Sequence, residues 1–237
     1  MPESGKFEVA KPFRIGLLLF PEITQLDMTG PYEVFTKFPN AEVHLVAKSL
    51  EPVTANGGMK ILPTITLAAC PQLDLVCVPG GGGMNALLND METLQFLQSQ
   101  ALGARYVTSV CTGALVLGAA GLLKGKRAAT HWMSREMLRA FGATPVAERV
   151  VKDGNVFTGG GVTAGIDFAL TVAAEAFGPE LAKSIQLAIE YDPQPPFNAG
   201  SPEGAGAALA DKARAGAAVR QAEREAAVKQ AAARLNA

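Results

Sequence analysis

Arg105 through Leu123 read RYVTSVCTGALVLGAAGLL. The opening RYVTSV is a short run of aromatic and β-branched residues, the composition of a strand. The remainder, from Cys111 onward, is apolar nearly all round, the mark of a helix buried on every side. A strand that passes straight into a buried helix is half of a parallel βαβ unit. At the junction stands Cys111.

Working outward, the same alternation recurs. RIGLLLF (14–20) is a continuous apolar run of strand length, as expected for a strand covered on both faces. Behind it, PEITQLDMTGPYEVFTKF places Pro31 in the first turn of a short helix, with Thr29 or Gly30 as its cap. AEVHLVAKS (41–49) is a second strand. VTANGGMKILPTITLAAC (53–70) reads as short strands around an Asn56-Gly57 turn. LDLVCVPGG is a third buried strand, ending at Pro79, and helical spacing follows over Thr93–Leu102. Past the opening segment, ERVVKDGNVFTG is a hairpin around Asp153-Gly154, and residues 161–177 and 179–191 are helices.

These elements predict a doubly wound, mostly parallel sheet flanked by helices. In such sheets ligands bind beyond the carboxyl ends of the strands. Asp27, the glycines after Pro79 and Cys111 all follow strands, so the topology can gather them at one edge. The expected organisation is a polar leader (1–13), one α/β domain (14–197), and a Pro/Gly-rich linker with an Ala-rich C-terminal helix (198–237). That last helix has few bulky apolar residues and buries little unless it docks, on its own domain or on a partner.

Composition narrows the function. The chain has 237 residues, enough for one α/β domain with a sizeable core. Its net charge of −1, with no clustered basic face, argues against a nucleic-acid partner. No apolar run approaches the length of a membrane span. Three widely spaced cysteines make a poor disulfide framework and fit a reducing cytoplasm. No ligand cluster for a metal is evident, and no cofactor is expected.

Cys70 and Cys77 read as small buried hydrophobes. Cys111 does not, because a strand-to-helix junction followed by Thr112-Gly113 holds its side chain in a tight turn at a helix start. Asp27 is its candidate proton partner, with helix capping as the alternative. His44 is structural, and His131 in ATHW is either near the site or a packing residue. GGGGMNALLND lacks the lysine and hydroxyl of a P-loop. Gly80, Gly81 and Gly82 are therefore either a cluster of N–H donors at the site or a turn too tight for side chains.

SVCTGALVLGAAGLLKGKRAATHW (109–132), LLLFPEITQLDMTGPYEVF (17–35) and LDLVCVPGGGG (73–83) together resemble the ThiJ/PfpI family of the class I glutamine-amidotransferase-like superfamily. RVVKDGNVFTGGGVTAGIDFALTVAAE (149–175) and IQLAIEYDPQPPFNAGSP (185–202) extend the resemblance over most of residues 14–202. It implies a flavodoxin-like fold, a homodimer and a nucleophilic Cys111. Thr112 stands where protease-like members carry histidine, which disfavours peptidase chemistry. Asp27 replaces the glutamate of glyoxalase-like and redox-sensing members, as in the isocyanide-hydrating ones. The resemblance thus implies attack of Cys111 on an isocyanide, proton transfer by Asp27, support from Thr112 and substrate binding by Gly80, Gly81 and Gly82. A cysteine-based redox sensor or ligand-binding stress protein and a glyoxalase for small dicarbonyls are the alternatives. Regulators with a similar CTG…THW segment append a helix-turn-helix module, which this Ala-rich tail does not resemble.

Overall fold

The computed structural model describes residues 11–235, so most of the expected leader (1–13) lies outside the described residues. In chain order, β1 (Phe13–Leu18) leads through α1 (Gln25–Phe35) to β2 (Ala41–Ala47). The excursion that follows holds β3 (Val53–Thr54), β4 (Lys60–Ile61) and β5 (Ile65–Thr66). β6 (Leu75–Val78) is followed by α2 (Met84–Leu87) and α3 (Met91–Gly103), then β7 (Tyr106–Val110) and α4 (Gly113–Ala119). Next come β8 (Arg127–Ala128), a 3-10 helix (Trp132–Phe141), β9 (Thr144–Pro145) and the hairpin of β10 (Val150–Asp153) and β11 (Val156–Gly159). α5 (Ala164–Phe177), α6 (Pro179–Ala188), α7 (Pro202–Ala205) and the 29-residue α8 (Ala207–Leu235) follow.

Seven strands form one sheet in the order β10-β11-β7-β6-β1-β2-β5, parallel throughout except for β10 against β11. Its principal parallel strands run 2-1-3-4-5 in chain order, the flavodoxin-like arrangement. The chain reverses direction across the sheet between β1 and β6. The apolar runs of β1, β6 and β7 are buried because helices cover both faces.

Three elements differ from the sequence-based expectation. α1 begins at Gln25 after Thr24, and Pro31 stands mid-helix rather than in the first turn. The loop before it is pinned: Thr24 N–H donates to the Gly80 carbonyl at 2.9 Å, and Ile23 bridges to Gly81. This fixes the helix start about one and a half turns earlier than proline placement alone predicts. The Pro31 ring lies against Gly165 of α5, so close that a Cβ there would come within 3.0 Å of it. α4 is also shorter than its apolar pattern, because the chain turns out through Gly121 (φ +78°). Residues 127–145, for which the sequence reading gave no element, fold into β8, the 3-10 helix and β9.

α8 packs back on its own domain, against the 3-10 helix, α2 and α4. Arg234 fastens its end, donating from Nη1 to Asn89 Oδ1 at 2.8 Å and from Nη2 to the Leu88 carbonyl at 3.0 Å. Small side chains permit the close approach: Ala210, Ala217, Ala231 and Ala232 are buried in it. So is Arg224, which the sequence reading did not single out.

Candidate active site

The loops after β1, β6 and β7 converge beside the sheet reversal. Asp27, in the first turn of α1, is wholly buried. Its Oδ2 accepts from the Gly80 N–H at 2.9 Å, and Oδ1, although buried, has no hydrogen-bond partner. The Cys111 side chain lies beside this carboxylate, near enough for each group to shift the other's titration. The topology therefore brings together the acid and the cysteine that the strand-end argument selected.

Cys111 adopts φ +55°, a left-handed conformation that costs a non-glycine residue roughly 1–3 kcal/mol. Its backbone is held there on both sides. The N–H donates to the Gly159 and Gly160 carbonyls at 3.1 and 2.7 Å, and the carbonyl accepts from Thr130 Oγ1 at 2.7 Å. The amides of Thr112 and Val162 approach the sulfur and favour its anion. They are outweighed. Burial, followed by the Asp27 charge, pushes the thiol up to about 12. Burial likewise raises the Asp27 carboxyl to about 6, against the lowering effect of the Gly80 N–H and the Cys111 thiol. With the carboxyl at about 6 and the thiol at about 12, the pair at neutral pH is a thiol beside a carboxylate.

The glycines hold this geometry by close approach. A Cβ on Gly80 would lie 2.6 Å from Thr112 N and Oγ1 and 2.8 Å from Asp27 Oδ2. Gly81 has φ +145° and donates its N–H to Thr112 Oγ1 at 3.2 Å. Gly83 N–H is directed to the Glu22 carbonyl at 3.4 Å. Thus Gly80, Gly81 and Gly83 spend their amides within the protein, and of the four the Gly82 N–H is the least committed, facing the Glu22 carbonyl only across the Ile23–Gly81 bridge. The N–H cluster considered from the sequence narrows to that one donor, and Gly80 acts on the site through Asp27 and Thr112.

Cys111, Thr112, Gly81 and Gly82 line a cavity of about 210 Å³. Asn56 from the β3–β4 hairpin, His131 and three residues of α8 (Arg220, Gln221 and Arg224) complete much of its wall. A larger groove of about 490 Å³ shares His131 and Val162 with this cavity but does not reach Cys111. His131 also caps the 3-10 helix, its Nδ1 accepting from the Met133 N–H at 3.4 Å. Burial, with the nearby arginine charges, lowers it to about 4, so it is neutral. His44 lies on β2 beside Glu42, away from the cavity. Cys77 is buried as expected, whereas Cys70 is only half-buried.

Sequence reasoning missed Asn56 and the α8 residues. The signal for Arg224 was present as one charge on a stripe of alanines seven residues apart, but it is indistinguishable by composition from the helix's solvated arginines. Among the described residues, no three His, Cys, Asp or Glu side chains come together as a metal site.

A chain with this fold and cysteine loop has clear relatives. An isonitrile hydratase of Pseudomonas putida is 56% identical over 223 residues, 94% of this chain and 98% of that protein. The HTH-type transcriptional regulator GbdR of Pseudomonas aeruginosa is 31% identical over 76% of this chain but only 51% of its own length. The crystal structure of a ThiJ/PfpI family protein from Pseudomonas syringae superposes with a TM-score of 0.89 at 42% identity, covering 96% of this chain and 97% of that one. The DJ-1/PfpI family model matches residues 13–175, which span β1 to α5 and include both Asp27 and Cys111. On the strength of that match, the chain belongs to the DJ-1/PfpI family.

Proposed function

We propose that this protein is an isocyanide hydratase, adding water to an isocyanide to give an N-substituted formamide. One observation carries the reading: the Cys111 thiol is paired with a buried carboxylate, and no cationic histidine activates it. Such a thiol keeps its proton until an electrophile arrives and then passes it to Asp27. An isocyanide, R–N≡C, needs both a soft nucleophile and a proton at one carbon. The 56% identity to a full-length isonitrile hydratase supports the same conclusion.

The chemistry follows from the pair. Sulfur bonds to the terminal carbon as the thiol proton moves to Asp27, and Asp27 delivers that proton to the same carbon. The product is a thioimidate, R–N=CH–S–Cys111, with no group expelled. Asp27, ionised again, takes a proton from water as the water oxygen bonds to the carbon, and the proton passes to nitrogen. The tetrahedral adduct then collapses: the C–S bond breaks, the thiolate leaves, and the hydroxyl proton returns to sulfur through Asp27. The Thr112 and Val162 amides stabilise the departing thiolate, and the Gly82 N–H is the available donor for the substrate nitrogen.

Oxidative sensing fits less well, because a thiol raised to about 12 carries little of the thiolate that peroxides attack. The test is formamide release from an alkyl isocyanide, measured beside lactate release from methylglyoxal. Formamide supports hydration, lactate alone supports a glyoxalase, and neither leaves a sensor or ligand-binding protein.

The same reading assigns residues 14–197 to the catalytic unit and 198–237 to an appended linker and helix. It also makes the protein a cytoplasmic homodimer that engages neither nucleic acid nor membrane. Exposed Leu50, Met59 and Leu62 beside the β3–β4 hairpin support self-association. Free cysteines support a reducing compartment, and among the described residues no helix is long and apolar enough to cross a membrane.

A further inference from the structure

α8 carries two guanidinium groups to the cavity that holds Cys111. Arg224 is only 4% exposed, although it sits in a stripe otherwise made of alanine and Val228. Its Nε donates to Asn85 Oδ1 and its Nη1 to Ser134 Oγ, each at 3.1 Å. Both acceptors are neutral. No carboxylate pairs with Arg224 among the described residues, and its Nη2 finds no protein acceptor there. Arg220, one turn earlier on the same face, lines the cavity too and likewise forms no ion pair among the described residues.

The rest of the wall offers no counter-charge. No Asp or Glu lines the cavity, since Asp27 is fully buried behind it and accepts from Gly80. His131 stays neutral beside the arginines. Burying an unpaired guanidinium is costly, and a leucine or methionine would fill the same space in an alanine stripe without that cost. Packing therefore does not account for Arg224. A planar guanidinium with donors to spare matches a carboxylate, and the small cavity limits such a ligand to a short molecule.

We propose that Arg224 and Arg220 bind a carboxylate on the substrate, which makes short isocyano carboxylates the preferred substrate class. This rests on the hydratase reading, with the isocyano carbon at Cys111 and the carboxylate at α8. The isocyano and carboxylate ends then meet two different segments of the chain, so the arginines govern selection while Cys111 and Asp27 carry the bond changes.

Isocyanoacetate and its methyl ester separate charge from size. The full-length protein should show a higher kcat/KM for the carboxylate by about tenfold or more, the worth of one charge-assisted hydrogen bond. That ratio should fall about tenfold in Arg224→Gln and less in Arg220→Ala, and it should shrink with added salt. Because each ratio is taken on one protein sample, partial unfolding of a variant cancels. A ratio that favours the ester, or that is unchanged in both variants while the two substrates slow equally, overturns the proposal and leaves Arg224 to positioning α8. If neither compound yields formamide while an alkyl isocyanide does, the substrate-class proposal fails; if the alkyl isocyanide yields none either, the hydratase reading itself fails. The anion site is then decided by peptide-mapped alkylation of Cys111 with iodoacetate against iodoacetamide. A preference for iodoacetate that is lost in Arg224→Gln upholds the site, and an equal ratio in both proteins ends it.

Discussion

Replacing Asp27 with asparagine should produce a more stable protein that barely turns over. Burial raises the Asp27 carboxyl from an ordinary 3.8 to about 6. The folded chain therefore holds this proton more tightly than the unfolded one. The resulting stabilisation is complete below pH 3.8 and is lost as the pH rises through about 6. At pH 7 the ionised carboxylate thus costs about 3 kcal/mol relative to its neutral form. Asp27→Asn keeps the shape and an oxygen for the Gly80 N–H while removing the charge, so it recovers most of that sum. For a chain of this size, about 3 kcal/mol corresponds to roughly 6–12 °C in Tm. Calorimetry of wild type and Asp27→Asn at pH 7.5 and at the lowest pH where both remain folded should show the gap narrowing toward acid. Turnover should fall roughly 10²–10⁴-fold with loss of the proton carrier. In wild type kcat/KM should rise with pH through about 6 and then level off. Near-normal turnover in Asp27→Asn, or a Tm no higher than wild type at pH 7.5, would refute the picture of a carboxylate held charged against its surroundings for chemistry.

Rapid-quench intact-mass spectrometry should find a transient adduct equal in mass to the isocyanide, absent in Cys111→Ala; wild-type turnover by Cys111→Ala would end the covalent scheme. Gly80→Ala forces a methyl group against Thr112 and Asp27, so it should lower both Tm and turnover; a variant with unaltered kinetics would show that the close approach has no functional weight. Thr112→Val strands the Gly81 N–H, at about 1–3 kcal/mol for a buried donor, and denaturant titration reads that loss. Light scattering at micromolar concentration should give twice the chain mass, and a monomer would remove the dimer.

Much of the fold and part of the site were legible in the sequence because both obey local rules. β1, β6 and β7 are short apolar runs, and a buried parallel strand can hardly be anything else. Once the alternation of strands and helices fixes a parallel sheet, Asp27 and Cys111 must lie at its carboxyl edge. What escaped was set by tertiary contact. Pro31 was assigned by its own preference, but the pinning of Thr24 to Gly80 decides where α1 starts. The glycine loop offered four amides on paper, yet the fold commits three of them to Asp27, Thr112 and Glu22. Arg224 resembles its exposed neighbours in every local property. Only the docking of α8 onto the 3-10 helix makes it interior.

The roof of the Cys111 cavity also comes late in time. A chain emerging from the ribosome presents its N-terminal segments first, so β1 through β11 can pair, and the Asp27–Cys111 couple can form, before α8 exists. During that interval the nascent domain holds the reactive sulfur without its arginine wall, open to whatever small electrophile diffuses past. Discrimination is thus the last property this polypeptide acquires as it is made. It is also the first that a C-terminal clip would take away.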